Sequence, residues 1–259
     1  MYKIMNLEKP YKRIYRPNRK TENLYYHDAP YINNPIYAKS PERYVQSFLV
    51  LLKDFQELCE YVSIAEDNLL CYSIRIHSLL VRACIEIEAN FKAILKENNY
   101  FPKTKKGKLK ELKMGDDYIK VNKTHLLSKY SVKIPTVNLE FSPFKKWDNN
   151  EELEWYKAYN QVKHDRHTEF KQANLKNLVN AICGLFILLS SQFGKHNFFS
   201  QKSVQEFDLG PNQDGFEPGG IGEFFYIKFP NFSDSEKYNF DWYKIKSEEN
   251  LFRDFNYHT

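Results

Sequence analysis

The 259-residue chain predicts a mainly α protein: a four-helix bundle core with an extended N-terminal arm, a small β-containing insertion and a C-terminal tail. Two observations carry the helices. Apolar residues recur at helical spacing through residues 40–98 and 150–195, and the long stretch 67–98 contains neither Gly nor Pro. A third limits the sheet: apolar and polar residues alternate with a period of two near residues 130–141, and a further short strand, 224–229, is marked by the Gly and Pro turns around it. With 42% hydrophobic residues, 19 Tyr and 20 Phe against nine Gly, one sizeable core filled largely by rings is expected.

The elements follow in chain order. Residues 1–39 form a basic, Tyr-rich arm, in which Tyr, Pro and Asn recur without periodicity and Lys9, Lys12, Arg13, Arg16, Arg19 and Lys20 supply charge. Such an arm either holds a nucleic-acid backbone or lies over the protein's own surface through its tyrosines. A first helix starts at Ser40 and Pro41, with Ser40 as cap, and turns Tyr44, Phe48, Leu51, Leu52, Phe55, Leu58 and Cys59 inward. The second runs from about Asp67 to Asn98 on a stripe through Leu70, Ile74, Val81, Ile85, Ala89 and residues 91–95. Arg75, His77, Arg82, Glu86 and Glu88 intrude on it, and Arg82 and Glu86 are spaced to pair at i, i+4.

The pattern lapses between residues 99 and 149. Lys103, Lys105, Lys106 and Lys108 open a basic tract that suits an exposed loop or, alternatively, a nucleic-acid contact. Short strands are expected at 130–134 and 137–141 around Pro135. A third helix spans 151–166, and a fourth spans 168–194 whose nearly all-apolar second half suits the centre of the bundle. The extension 196–259 is marked by turn residues from Gly210 to Gly222 and by a strand over 224–229. Its acids, Glu206, Asp208, Asp214, Glu217 and Glu223, are available to pack against the basic regions, which weakens any case for nucleic-acid binding drawn from the net charge of +5 alone.

Several function classes find no support. Cys59, Cys71, Cys84 and Cys183 stand singly and read as buried thiols, with no zinc-type Cys/His spacing, so neither metal nor cofactor is expected. His77 reads as a satisfied core histidine, and His125, His196 and His258 lack partners at metal spacing. There is no Gly-rich phosphate loop, zinc-protease helix or nucleophile elbow. The early charges are unlike a signal peptide, and the longest apolar run, 181–189, is short of a bilayer span, so a cytoplasmic location without membrane contact is expected.

The densest chemistry lies in residues 155–166, Trp-Tyr-Lys-Ala-Tyr-Asn-Gln-Val-Lys-His-Asp-Arg. On a helix, Asn160, Lys163, His164 and His167 share a face and converge on one anionic ligand; alternatively, Asn160 and His164 satisfy buried polar groups beside a packing stripe of Trp155, Tyr159 and Val162. The Asn-x-x-x-His of Asn160 and His164, set between the third and fourth long helices, resembles the motif of the HEPN superfamily, whose signature is Arg, a polar residue, three residues and His. Tyr159 stands where that signature has Arg.

Over roughly residues 40–195 the resemblance implies a HEPN-like four-helix bundle that forms a homodimer across two motifs. It implies action on RNA or a nucleotide, as a metal-independent endoribonuclease in bacterial defence or a toxin-like stress response, with a companion defence or antitoxin protein as a further partner. A catalytically inactive module binding a nucleotide or partner protein is the alternative. The implied catalytic set is Asn160 and His164, with the missing cation supplied by Arg166, Lys163 or Arg82, the last paired with Glu86; His serves as proton carrier and the cation meets charge developing on phosphate.

Overall fold

The computed structural model describes residues 5–19, 30–135, 137, 139–198 and 214–258; Lys20, residues 21–29 of the arm, and Glu206, Asp208, Gly210 and Pro211 of the tail lie outside the described residues. The protein is mainly α. Its helices are α1 (Pro30–Asn33), α2 (Pro41–Tyr61), α3 (Ile74–Glu97), α4 (Asn122–His125), α5 (Glu154–His164), α6 (Arg166–Glu169), α7 (Leu175–Phe193) and α8 (Trp242–Ile245). Strands β1 (Ser131–Ile134), β2 (Leu139–Phe141), β3 (Glu217–Pro218) and β4 (Tyr226–Lys228) form one antiparallel sheet in the order β2-β1-β4-β3.

α7 is the centre, as its composition predicts. Val179, Ile182, Leu185, Phe186 and Leu189 are all fully buried, and α2, α3 and α5 pack around it. Its length and hydropathy would suffice for a membrane span, but 89% of that window is buried inside the protein. It begins where the Asn174 side chain accepts the Asn177 N–H at 3.1 Å, seven residues beyond the expected start.

Two expectations at helix starts are corrected. Ser40 is left-handed at φ 48° and makes no side-chain cap, so α2 opens on the pre-set φ of Pro41 alone. α3 starts at Ile74 rather than near Asp67, capped by Ser73, because residues 69–71 are held beside α7: the Leu175 N–H donates to the Cys71 carbonyl at 2.9 Å and the Lys176 N–H to the Leu69 carbonyl at 2.8 Å. The core stripe of α3 is corrected with it. Leu70, Ile74 and Ile85 are 73%, 77% and 51% exposed, whereas Ile76, Leu80, Ala83, Ile87 and Ile94 are buried. The helix carries two apolar faces, and contact with α7 selects the second.

The sheet stitches the insertion to the C-terminal extension. Val132 pairs with both Phe141 and Ile227, and Val132 and Ile227 are fully buried. The following turn presses onto α7: the Gly219 N–H donates to the Phe225 carbonyl at 2.9 Å, and a Cβ on Gly219 would collide with the Phe186 ring.

The first part of the arm is a buried strap, in which Arg13 and Arg16 are inward and Lys9 and Lys12 are paired, whereas Arg19 is exposed. It is clamped by the tail, with Lys12 N–H donating to the Arg253 carbonyl (3.1 Å), Arg253 N–H to Pro10 (2.9 Å) and Tyr238 N–H to Pro17 (2.8 Å). Arg13 is fully buried; its Nε meets Glu97 Oε1 at 2.7 Å, and its Nη1 donates to Gln192 Oε1 at 2.7 Å. Arg16, 4% exposed, donates to the Thr124 carbonyl and faces the Phe232 ring at 4.8 Å. Lys9 and Lys12 pair with Glu248 and Asp254. Tail acids also meet basic residues elsewhere, Glu217 with Lys195 at 3.1 Å and Asp214 with Lys133 at 3.9 Å. Cys84 and Cys183 are buried as expected, whereas Cys59 and Cys71 are half-buried.

Candidate functional site

α5 divides its chemistry between two faces. Trp155, Tyr156, Tyr159 and Val162 turn inward against α3 and α7, and Trp155 Nε1–H donates to the Pro143 carbonyl at 2.9 Å. Tyr159, at the position of the signature Arg, is 2% exposed. Beside it, Tyr156 donates its hydroxyl to Glu88 Oε1 of α3 at 3.0 Å, and Lys92 approaches the same carboxylate at 3.4 Å. Burial first, then the neighbouring Glu88, pushes the Tyr156 and Tyr159 phenols well above their usual range. Tyr159 is therefore a neutral packing residue, and the Lys163 ammonium lies over its ring, 5.3 Å from the centroid.

The outer face carries the remaining motif. Asn160 is half-buried, whereas Lys163, His164, Arg166 and His167 are exposed. α5 ends at His164 because Asp165 leaves helical geometry (φ −140°, ψ 82°) and becomes the cap of α6, its Oδ1 accepting the Thr168 N–H at 3.1 Å. Those hydrogen bonds to Thr168 hold the Asp165 carboxyl below its ordinary pKa. Among the described residues neither Lys163 nor Arg166 makes an ion pair, and the exposed edge 163–167 sets these two cations beside the imidazoles of His164 and His167, the latter interacting with Asp165. Lys163 and His164 also complement the negative end of the α5 dipole.

The break at Asp165 frees Arg166 from the α5 register and turns it toward the start of α3. There the His77 imidazole packs on Phe170 (centroids 5.9 Å apart), which meets Tyr72 edge-on at 5.6 Å. Burial lowers the His77 pKa and the Arg166 guanidinium lowers it further. His77 is thus half-buried beside the basic edge, not a core histidine.

Arg82 and Glu86 are not part of this arrangement, which corrects their expected place. Arg82 reaches across to Asp54 of α2 instead of pairing with Glu86, and Glu86 lines a shallow groove with Lys39, Arg43 and Tyr44. Six residues separate Arg82 from Glu88, about 120° around α3, so the face bearing Arg82 is turned away from α5. Burial raises the Glu86 pKa, and Arg82 only partly opposes it.

The lysine tract forms a tight hairpin, with Lys103 bridged to Leu109 and the Thr104 N–H donating to the Lys108 carbonyl at 2.7 Å. Lys103, Lys105, Lys106 and Lys108 are all exposed, and none makes an ion pair among the described residues. His125, set aside by spacing, is fully buried: Nε2–H donates to the Arg13 carbonyl at 2.8 Å, and Nδ1 lies 2.8 Å from the Thr124 hydroxyl oxygen. Sequence reasoning missed the Glu88 and Tyr156 contact. Its signal was a carboxylate on the inner face of α3, one turn from Cys84 and opposite a Tyr, Tyr, Lys row at i, i+3 and i+7. No group of three or more His, Cys, Asp or Glu suited to a metal ion occurs among the described residues.

Compared with known protein families, with curated proteins and with solved structures, the chain matches none.

Proposed function

We propose that the chain is a HEPN-like helical-bundle module that binds the phosphates of RNA or a nucleotide along residues 163–167, and that a single subunit does not cleave what it binds. The observation that carries this reading is the exposed edge of Lys163, His164, Arg166 and His167, with its one carboxylate, Asp165, engaged in capping α6. The buried Tyr159 argues against cleavage by one subunit, because the signature's guanidinium is replaced by a neutral phenol packed under Lys163. Arg166 is the better phosphate ligand of the set, since a guanidinium forks onto two oxygens.

The second reading, a metal-independent endoribonuclease, is favoured by one feature: the helix break frees Arg166, two residues beyond His164, from the α5 register. In this reading a homodimer completes the site, His164 carries the proton, and Arg166 of either subunit meets the phosphate charge. We place the protein in the cytoplasm, acting in defence or stress with a companion antitoxin-like protein.

Fluorescence anisotropy of a labelled single-stranded RNA against salt concentration tests the binding. Every cation withdrawn from a phosphate lowers the log–log slope by about 0.7, so Lys163→Ala with Arg166→Ala should flatten it by about 1.4. An unchanged slope, or no binding by the wild type, refutes the site. Cleavage products with cyclic-phosphate ends formed in EDTA, abolished by His164→Ala, would establish the second reading instead.

A further inference from the structure

α8 and the turn after α1 border an open surface groove of about 440 Å³, lined by Pro30, Asn33, Asn34, Pro35, Trp242, Tyr243 and Lys246. That volume lies within the range of about 300–1,000 Å³ typical of small-molecule sites. One ring of the aromatic wall is tied to the core. Trp242 packs against Phe252 (6.5 Å), Phe252 against Tyr37 (5.8 Å), and the Tyr37 hydroxyl donates to the Gln192 carbonyl of α7 at 2.6 Å. Asp241 caps the short helix, its Oδ1 accepting the Tyr243 N–H at 3.0 Å.

On this support stands a ring without a packing role. Tyr243 is 72% exposed, and the Lys246 ammonium lies 5.1 Å from its centroid. Two amides flank it: Asn34 Oδ1 accepts the Ile36 N–H at 2.9 Å, leaving its nitrogen as donor, and Asn33 makes no side-chain hydrogen bond among the described residues. The lining contains no carboxylate, so the groove favours a ligand that pairs a flat face with negative charge.

We propose that this groove binds a nucleotide, either free or as one unpaired residue of an RNA strand. The base stacks on Tyr243 and Trp242, the Asn33 and Asn34 amides meet its polar edge, and Lys246 pairs with the phosphate. The site is separate from the α5 edge and uses none of its residues.

Tryptophan emission of the full chain tests this, because Trp147 and Trp155 are 4% and 3% exposed and quenching by a ligand reports the half-buried Trp242. Titration with adenosine or uridine monophosphate, or with a short oligouridylate, should give saturable quenching, and ribose 5-phosphate should give none. Tyr243→Ala, at an exposed position, should weaken binding by about 5- to 150-fold, and Tyr243→Phe should preserve it. Lys246→Ala should weaken binding and reduce its salt dependence, whereas Lys163→Ala and Arg166→Ala should leave mononucleotide quenching unchanged. In the Lys163→Ala, Arg166→Ala background, tighter binding of the oligonucleotide identifies RNA as the source, and equal affinity identifies the free nucleotide. Absence of saturable quenching, full affinity in Tyr243→Ala, loss of mononucleotide quenching in the α5 variants, or quenching by a proline-rich peptide but by no nucleotide would each overturn the proposal.

Discussion

His125 should make this protein lose stability as soon as the pH falls below neutrality. Its imidazole is fully buried between the Arg13 carbonyl and the Thr124 hydroxyl, which in turn lies 2.7 Å from the Tyr257 hydroxyl. Burial pushes its pKa down from 6.5 to about 3; the Arg16 and Arg13 guanidiniums act in the same direction, and hydrogen bonds to the Arg13 and Val121 carbonyls oppose it. The folded protein keeps the ring neutral while the unfolded chain protonates it. The unfolded state therefore binds more protons between these two values, and stability is full above about pH 6.5 and falls with pH down to about 3. Each pH unit inside that window is worth about 1.4 kcal/mol, so about 2 kcal/mol is lost at pH 5, or about 4–8 °C in Tm for a chain of this size.

Urea melts at pH 7.5, 6.0 and 5.0 measure the effect above the range where ordinary carboxylates titrate. The lowered pKa values of His77 and His196 act in the same direction, so the informative quantity is the difference from His125→Gln, which keeps a donor for the Arg13 carbonyl. The variant should be less stable at neutral pH and lose distinctly less on acidification. Equal slopes for wild type and variant would refute a neutral, buried His125.

Two further outcomes follow from buried charge. Arg13→Met should cost about 3–5 kcal/mol in urea, because it strands Glu97 and Gln192 without the guanidinium that binds both; a loss below about 1 kcal/mol would contradict a structural strap. Tyr159→Arg, which puts an Arg where the HEPN signature has one, should lower stability by about 1–3 kcal/mol, since it forces a longer charged side chain into a position 2% exposed. It should also confer no RNA cleavage on the monomer, which a gel assay in EDTA would check.

What the sequence disclosed depended on whether one force acted alone. α2, α7 and strands β1 and β2 fall within or near their expected ranges because each carries a single period, the first sheet pair being legible from alternation around Pro135, and β4 was bounded by the Gly and Pro turns before it. α3 defeated the same method. Both its faces are apolar enough to be core, and only the backbone pairing of residues 69–71 with α7 decides that Ile76, Leu80 and Ile87 go inside while Ile74 and Ile85 stay out. The arm failed for another reason. Charge predicts exposure on average, yet Arg13 and Arg16 are buried because distant partners, Glu97, Gln192 and the Thr124 carbonyl, satisfy their donors.

The α5 motif combines these cases. Its inward row of Trp155, Tyr159 and Val162 follows the helical period and was legible as packing, and its outward row of Asn160, Lys163 and His164 was legible as one face. Whether that face holds chemistry depends on where α5 stops, and the stop is set by a local competition: Asp165 satisfies the Thr168 N–H with its side chain instead of continuing the helix. That capping does two things at once. It withdraws the carboxylate nearest the cations, and it swings Arg166 toward His77 and out of the register that would have placed it about 200° around the helix from His164. Asp165→Ala is accordingly the substitution most damaging to the edge: it should fray α6 and weaken RNA binding even though it removes a negative charge. Tighter binding by that variant would mean that net charge, and not the ordered edge, governs recognition.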